Sequence, residues 1–286
     1  MAKIAARHLA GGDGWSVEDV VCSAGPQDRP YEEQHEHVAI AIVTGGSFQY
    51  RGSSAGTGRE LMTPGSLLLG NAGQCFECGH EHAHGDRCLS FRYSPEYFAS
   101  ITRGIARGRR ERFGMLRLPP VRELSPIVAQ AVAAACAPSP VSVIAWEELG
   151  VRLAVEAVQV DSGRTPSRAP VSAAALARVT RAVRLIDEGP GGELTLASLA
   201  KEAGLSPYHF LRTFEDLTGA TPHQYVMRAR LRAAAARLLS EAAKIVDIAL
   251  DSGFGDVSNF NRAFRGEFGA SPSVYRMRNR LVIRRS

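Results

Sequence analysis

Leu196-Ala-Ser-Leu-Ala-Lys-Glu-Ala-Gly204 returns 49 residues later as Ile245-Val-Asp-Ile-Ala-Leu-Asp-Ser-Gly253. After a one-residue insertion the offset becomes 50. Phe210, Phe214, Gly219, Pro222, Tyr225, Arg228, Arg230 and Leu231 then return as Phe260, Phe264, Gly269, Pro272, Tyr275, Arg278, Arg280 and Leu281. So many matches at a nearly constant offset mark an internal duplication. In each copy the apolar residues recur at i, i+3, i+4 and i+7, the helical period. Gly204 and Gly253 fall where a tight turn needs positive φ. Ser206-Pro207 reads as an N-cap with proline at N1, and Asp256 as the cap of the second copy. Each copy is expected to be helix, turn, helix. The alanine- and arginine-rich stretch from Thr221 to Glu241 is expected to be one long connecting helix.

The second helix of each copy has a free side. Phe210, Phe214 and Leu217 face inward, as do Phe260, Phe264 and Phe268. The opposite faces carry Tyr208, His209, Arg212 and Glu215 in one copy and Ser258, Asn259, Asn261, Arg262 and Arg265 in the other. Arginine forks onto guanine and asparagine onto adenine in the major groove. Two such helices on one rigid unit suit successive major grooves about 34 Å apart. Charge agrees: residues 171–286 carry 17 Lys+Arg against 11 Asp+Glu, while residues 1–170 carry 17 against 18. The basic C-terminal part points to nucleic acid.

Ser206-Pro-Tyr-His-Phe-Leu-Arg-Thr-Phe214, Asp247-Ile-Ala-Leu-Asp-Ser-Gly-Phe254, Phe260-Asn-Arg-Ala-Phe264 and Gly269-Ala-Ser-Pro-Ser-Val-Tyr-Arg276 resemble the AraC/XylS family of bacterial transcription regulators. The likeness covers about residues 175–280. It implies a seven-helix domain with two helix-turn-helix motifs that binds double-stranded promoter DNA, most often to activate transcription with RNA polymerase as partner. By motif position, Tyr208, His209, Arg212, Ser258, Asn259 and Arg262 would face the bases. His35-Glu-His37, Gly45-Gly46 and Pro64-Gly65 are similar, less specifically, to that family's cupin-type sensor domain.

Residues 15 to about 118 show short apolar runs, such as Val38–Val43 and Leu89–Tyr93, between glycine- and proline-marked turns, which is an all-β pattern. After Pro119-Pro120 two helices are expected within 121–160. Trp146, Leu149, Leu153, Ala157 and Val160 form an apolar seam that suits a homodimer or the body of the same chain. The turn-rich 166–174 reads as a linker. The expected fold is thus α+β in two domains: a cupin-like β-barrel with a helical pair over 1–165, and an all-α DNA-binding domain over 175–286.

Cys75, Cys78, His80, His82, His84 and Cys88 crowd into 14 residues. Thiolate and imidazole together suit tetrahedral zinc. Cys75, Cys78, His84 and Cys88 are the expected ligands, with His80 or His82 as alternatives to His84, and His35 and His37 as possible additions. A thiol pair sensing oxidants or electrophiles is the competing use, and a small-molecule effector remains open. Cys22 and Cys136 read as ordinary buried cysteines. No apolar run at the N-terminus resembles a signal peptide, and prolines interrupt the uncharged Leu124–Trp146, so a cytoplasmic protein with no membrane span is expected. A metal-dependent cupin enzyme fused to a DNA-binding module is the alternative. The apolar Val38–Val43 lacks the spaced glutamate that the cupin metal motif carries after its histidines. A metal-cysteine repair protein is a third option, but 121–170 shows no transferase-like region. No nucleophile–base arrangement or phosphate-binding glycine loop stands out, so the chain is expected not to be an enzyme.

Overall fold

The computed structural model describes residues 4–30, 32–52, 59–81, 84–102, 112–137, 141–163, 172–192 and 194–284. His82 and most of the expected linker lie outside them. Among the described residues the strands are β1 (Ile4–Gly12), β2 (Trp15–Cys22), β3 (Glu32–Gln34), β4 (Val38–Gly46), β5 (Phe48–Gly52), β6 (Arg59–Met62), β7 (Leu67–Gly70), β8 (Cys75–Gly79), β9 (Asp86–Tyr93) and β10 (Arg117–Leu118). The helices are α1 (Pro95–Thr102), α2 (Ser125–Ala135), α3 (Val143–Ser162), α4 (Ala173–Glu188), α5 (Leu196–Glu202), α6 (Pro207–Thr218), α7 (Pro222–Ser240), α8 (Ile245–Asp251), α9 (Val257–Phe268) and α10 (Pro272–Arg284).

The strands form two sheets, ordered β1-β2-β9-β4-β7-β10 and β3-β8-β5-β6. The expected β region is therefore present, as two open sheets. Strand alternation divides the large sheet into two faces. Leu89, Phe91 and Tyr93 of β9, with Ile40, Ile42, Leu67 and Leu69, face α1–α3. Cys88, Ala41, Val43 and Leu68 face Phe48, Tyr50, Met62, Phe76 and Cys78 of the small sheet.

The α3 seam lies on this large sheet. Trp146 is 2% exposed, and Leu153 and Ala157 are 0% exposed. Gly150 lets the helix settle: a Cβ there would meet Phe91 and Tyr93 at 3.4 Å, and the Tyr93 hydroxyl donates to the Gly150 carbonyl at 2.8 Å. This corrects the expectation of a homodimer through the seam, because the face is already buried within one chain.

On the same side of the large sheet Asp19 accepts from Arg87 at 2.8 and 2.7 Å and from Arg7 at 2.9 Å. Arg87 first, then Arg7, holds its carboxyl down at about 2, against 3.8 for a free side chain, although burial opposes this. A depressed carboxylate stabilises the fold fully above the unfolded value and loses that contribution as pH falls through the folded one. Both arginines are about half exposed, so solvent screening leaves about 1–2 kcal/mol. Asp19→Asn is expected to lower stability by that amount at neutral pH and to flatten the loss between about pH 4 and pH 2. Urea melts of both proteins across that window check it.

Helices α4–α10 make two further cores. Leu176, Val179, Val183, Phe210, Phe214 and Tyr225 belong to one, and Leu238, Ile248, Phe254, Phe260, Phe264 and Tyr275 to the other. Helix α4 starts at Ala173, inside the stretch expected to be linker, because Ser172 caps it by accepting from the Ala175 amide.

Candidate functional site

Helices α6 and α9 are built alike. Each has 12 residues, about 18 Å of helix. Ser206 accepts from the His209 amide with Pro207 at N1, and Asp256 accepts from the Asn259 amide at 2.7 Å. Both end on glycines in the left-handed region, Gly219 and Gly269. The turns before them use Gly204 at φ +62° and Gly253 at φ +85°. These match the turn and cap residues expected from the sequence. Asp256→Ala is expected to cost about 1 kcal/mol, read as a lower melting midpoint.

The inward faces are aromatic. Phe210, Phe214, Phe260 and Phe264 are fully buried. Outward, Tyr208 is 63% exposed, and His209, Arg212, Ser258, Asn261, Arg262 and Arg265 are exposed, with Asn259 half-buried. Arg212 reaches back to the Tyr208 hydroxyl at 3.5 Å and Arg262 to the Asn259 side-chain oxygen at 3.4 Å. Each outer face thus presents a guanidinium beside a polar partner one turn away.

Between the two units runs α7, capped by a reciprocal Thr221–Gln224 box. Arg230 on α7 donates to the carbonyls of Pro190, Gly192 and Gly253. It pins the turn of the second unit to the α4–α5 connection. The two outer faces are fixed relative to each other by covalent helix and by these three bonds.

The cysteines and histidines are grouped differently from the sequence expectation. Cys75 and Cys78 lie three apart on β8, so they point to opposite faces. Cys78 packs between the sheets with Phe76. No strand covers His80 or His84, so no common strand face carries them. His84 is exposed, packing on Gly25. His35 stacks on Phe76 at 4.1 Å and meets the Tyr50 hydroxyl at 2.7 Å. Burial pushes its imidazole down to about 4, so it is neutral at neutral pH. His37 is exposed. Cys136, expected to be buried, is exposed at the end of α2. All five cysteines are thiols outside any disulfide.

What converges is Cys22, His80 and Asp86, whose ligand atoms all lie within 4.8 Å of one another. Cys22 ends β2 and is the direct cross-strand partner of Asp86, which starts β9. Cys88, two residues on, shares that face and donates to Asp86 at 3.5 Å. Burial pushes the Cys78 and Cys88 thiols well up, so both are protonated.

Residues 199–278 match the helix-turn-helix domain family. The chain is 38% identical over 102 residues to the transcriptional activator NphR of Rhodococcus sp, which is 34% of this chain and 29% of that one. It is 36% identical over 96 residues to the regulatory protein SoxS of Salmonella typhimurium, 34% of this chain and 90% of that one. The chain belongs to the AraC family of transcription regulators. Those two relatives are named a transcriptional activator and a regulatory protein. The chain spans about a third of the length of the curated relatives it matches first: 29%, 33% and 37%. The crystal structure of the DNA-binding domain of AdpA, in complex with a target DNA, is similar at 27% identity, covering 36% of this chain and 94% of that one, with a TM-score of 0.36. Among the described residues no helix is long and apolar enough to cross a membrane.

Proposed function

We propose that this AraC-family chain is a cytoplasmic, sequence-specific activator that places α6 and α9 in two successive major grooves of promoter DNA and recruits RNA polymerase there. The observation that carries the reading is the matched pair of capped helices with exposed Arg212 and Arg262, fixed by α7 and Arg230. In this reading Tyr208, His209 and Arg212, and Ser258, Asn259, Asn261, Arg262 and Arg265, contact bases or flanking phosphates. The two-sheet region is the sensor, of the cupin kind, and its thiol and imidazole cluster is the place for zinc or another signal.

The chain offers a route from sensor to DNA. Arg117 on β10 donates to the Thr218 carbonyl at the end of α6 at 2.8 Å. Arg122 donates to the Gly266 carbonyl near the end of α9, and Ser125 bonds Glu267. The segment from β10 to α2 therefore touches the C-terminal ends of both recognition helices. A shift of the large sheet would change how the two helices sit on DNA.

Footprinting of the full chain on its own upstream region tests the reading. The proposal expects two protected major-groove segments about 10 base pairs apart on one face of the duplex. A single short segment would mean that only one helix enters a groove.

A further inference from the structure

We propose that Cys22, His80, Asp86 and Cys88 form a binding site for one thiophilic divalent ion, zinc first among them. Cys22 and Asp86 are cross-strand partners on β2 and β9. Cys88 follows Asp86 on the same face, and its thiol points at the Asp86 carboxylate at 3.5 Å. His80 comes from the other sheet, just past β8. It is 5% exposed, stacks near Phe48 with ring centroids 5.8 Å apart, and lies 2.6 Å from Asp86 through Nε2. Two sheets thus deliver two sulfurs, one imidazole nitrogen and one carboxylate oxygen to one end of the space between them.

The chemistry and the size agree. Zinc takes four such ligands at about 2.0–2.3 Å, which puts ligand atoms roughly 3.3–3.8 Å apart. Cys22, His80 and Asp86, whose ligand atoms lie within 4.8 Å of one another, need to close by about 1 Å. The Cys88 thiol, 3.5 Å from the Asp86 carboxylate, turns in as the fourth ligand. The His80–Asp86 pair opens by about 1 Å as the ion replaces the hydrogen bond between them. His80 keeps one proton on its other ring nitrogen, and any further proton passes to the medium. Cys22 and Cys88 lose their thiol protons to the medium, no electron changes hands, and the ion stays divalent. Two sulfur ligands favour a soft or borderline ion over magnesium or calcium. A full set of four leaves no open position, which suits holding or sensing the ion and not catalysis.

The location gives the ion leverage. Asp86 pairs with Gly46 on β4, and a Cβ on Gly46 would lie 2.3 Å from the Gly85 carbonyl. Gly46 and His84 line a cleft of about 790 Å³ whose far wall includes Arg184 of α4 and Arg232 of α7. Drawing Cys22, His80 and Asp86 together moves the near wall of the cleft against the DNA-binding helices. This effect on DNA rests on the sensor reading above, whereas occupancy of the site does not.

Cobalt is the probe for the site, added to the reduced, chelator-treated full chain. We expect one cobalt per chain, with the thiolate charge-transfer and visible bands of a tetrahedral ion, displaced by one equivalent of zinc. Cys22→Ser and Asp86→Asn should each weaken binding at least about 10-fold, while Cys75→Ser and Cys136→Ser bind as the natural chain does. A circular dichroism spectrum and thermal melt of ion-free Cys22→Ser that match those of the ion-free natural chain show that the variant is folded. Absence of tetrahedral cobalt bands in the natural chain, binding by Cys22→Ser at full strength, or loss of binding in Cys75→Ser would each overturn the site. DNA affinity is then measured with and without zinc. A change in the natural chain that is missing in Cys22→Ser supports both the site and the sensor reading. One ion bound with unchanged DNA affinity keeps the site and removes the sensor reading alone.

Discussion

Arg212→Ala and Arg262→Ala each weaken binding to the chain's specific DNA site by roughly 5- to 150-fold, which is about 1–3 kcal/mol. Both guanidinium groups stand on exposed faces of helices whose opposite sides are fully buried phenylalanine, so truncation removes a contact without opening a core. The two residues sit on different helices and share no partner, so their losses should add in the double variant. Each loss should be confined to one half of the site: base preference relaxes there and holds in the other half. A bidentate contact to guanine produces this pattern. A contact to phosphate instead weakens all sequences alike and lowers the salt slope by about one. Competition binding with half-site variants separates the two. Full specific affinity in both single variants would show that these faces do not read the groove.

Leu153→Asp prevents folding of the N-terminal region. Leu153 is fully buried between α3 and the large sheet, and burying such a side chain contributes about 1.5–3 kcal/mol. The aspartate loses that contribution and carries an unpaired charge into an apolar layer beside Ala154, Ala157 and Phe91. The sum reaches about 5 kcal/mol or more, comparable to the whole stability of an ordinary domain. Circular dichroism and a thermal melt check it. A folded, monomeric Leu153→Asp chain with native melting would instead place the seam at a subunit interface.

The DNA-binding half was legible because its signals are local. Ser206, Asp256, Gly204 and Gly253 fix caps and turns within three or four residues of themselves, and the phenylalanines at i and i+4 fix the buried face. The β half was legible only as a class. β1 shows no clean alternation, with six of its nine residues exposed, so nothing in its local pattern marks it as a strand. The Cys75-x₂-Cys78 spacing brings two sulfurs together only in a turn or helix, and on β8 it drives them apart. Cys22 meets Asp86 through sheet register, which no nearby residue announces. The α3 seam has the same spacing whether it packs on a partner or on its own sheet, and Gly150 against Tyr93 is the contact that decides.

On this structure α6 and α9 are expected to read DNA together as one rigid pair. Selection of binding sites from random-sequence DNA by the full chain measures this most directly. The expected result is enrichment of a bipartite sequence, two short motifs with centres about 10–10.5 base pairs apart, with the motif under α9 altered by Arg262→Ala and the motif under α6 by Arg212→Ala. Enrichment of a single short motif, or of none, would contradict it.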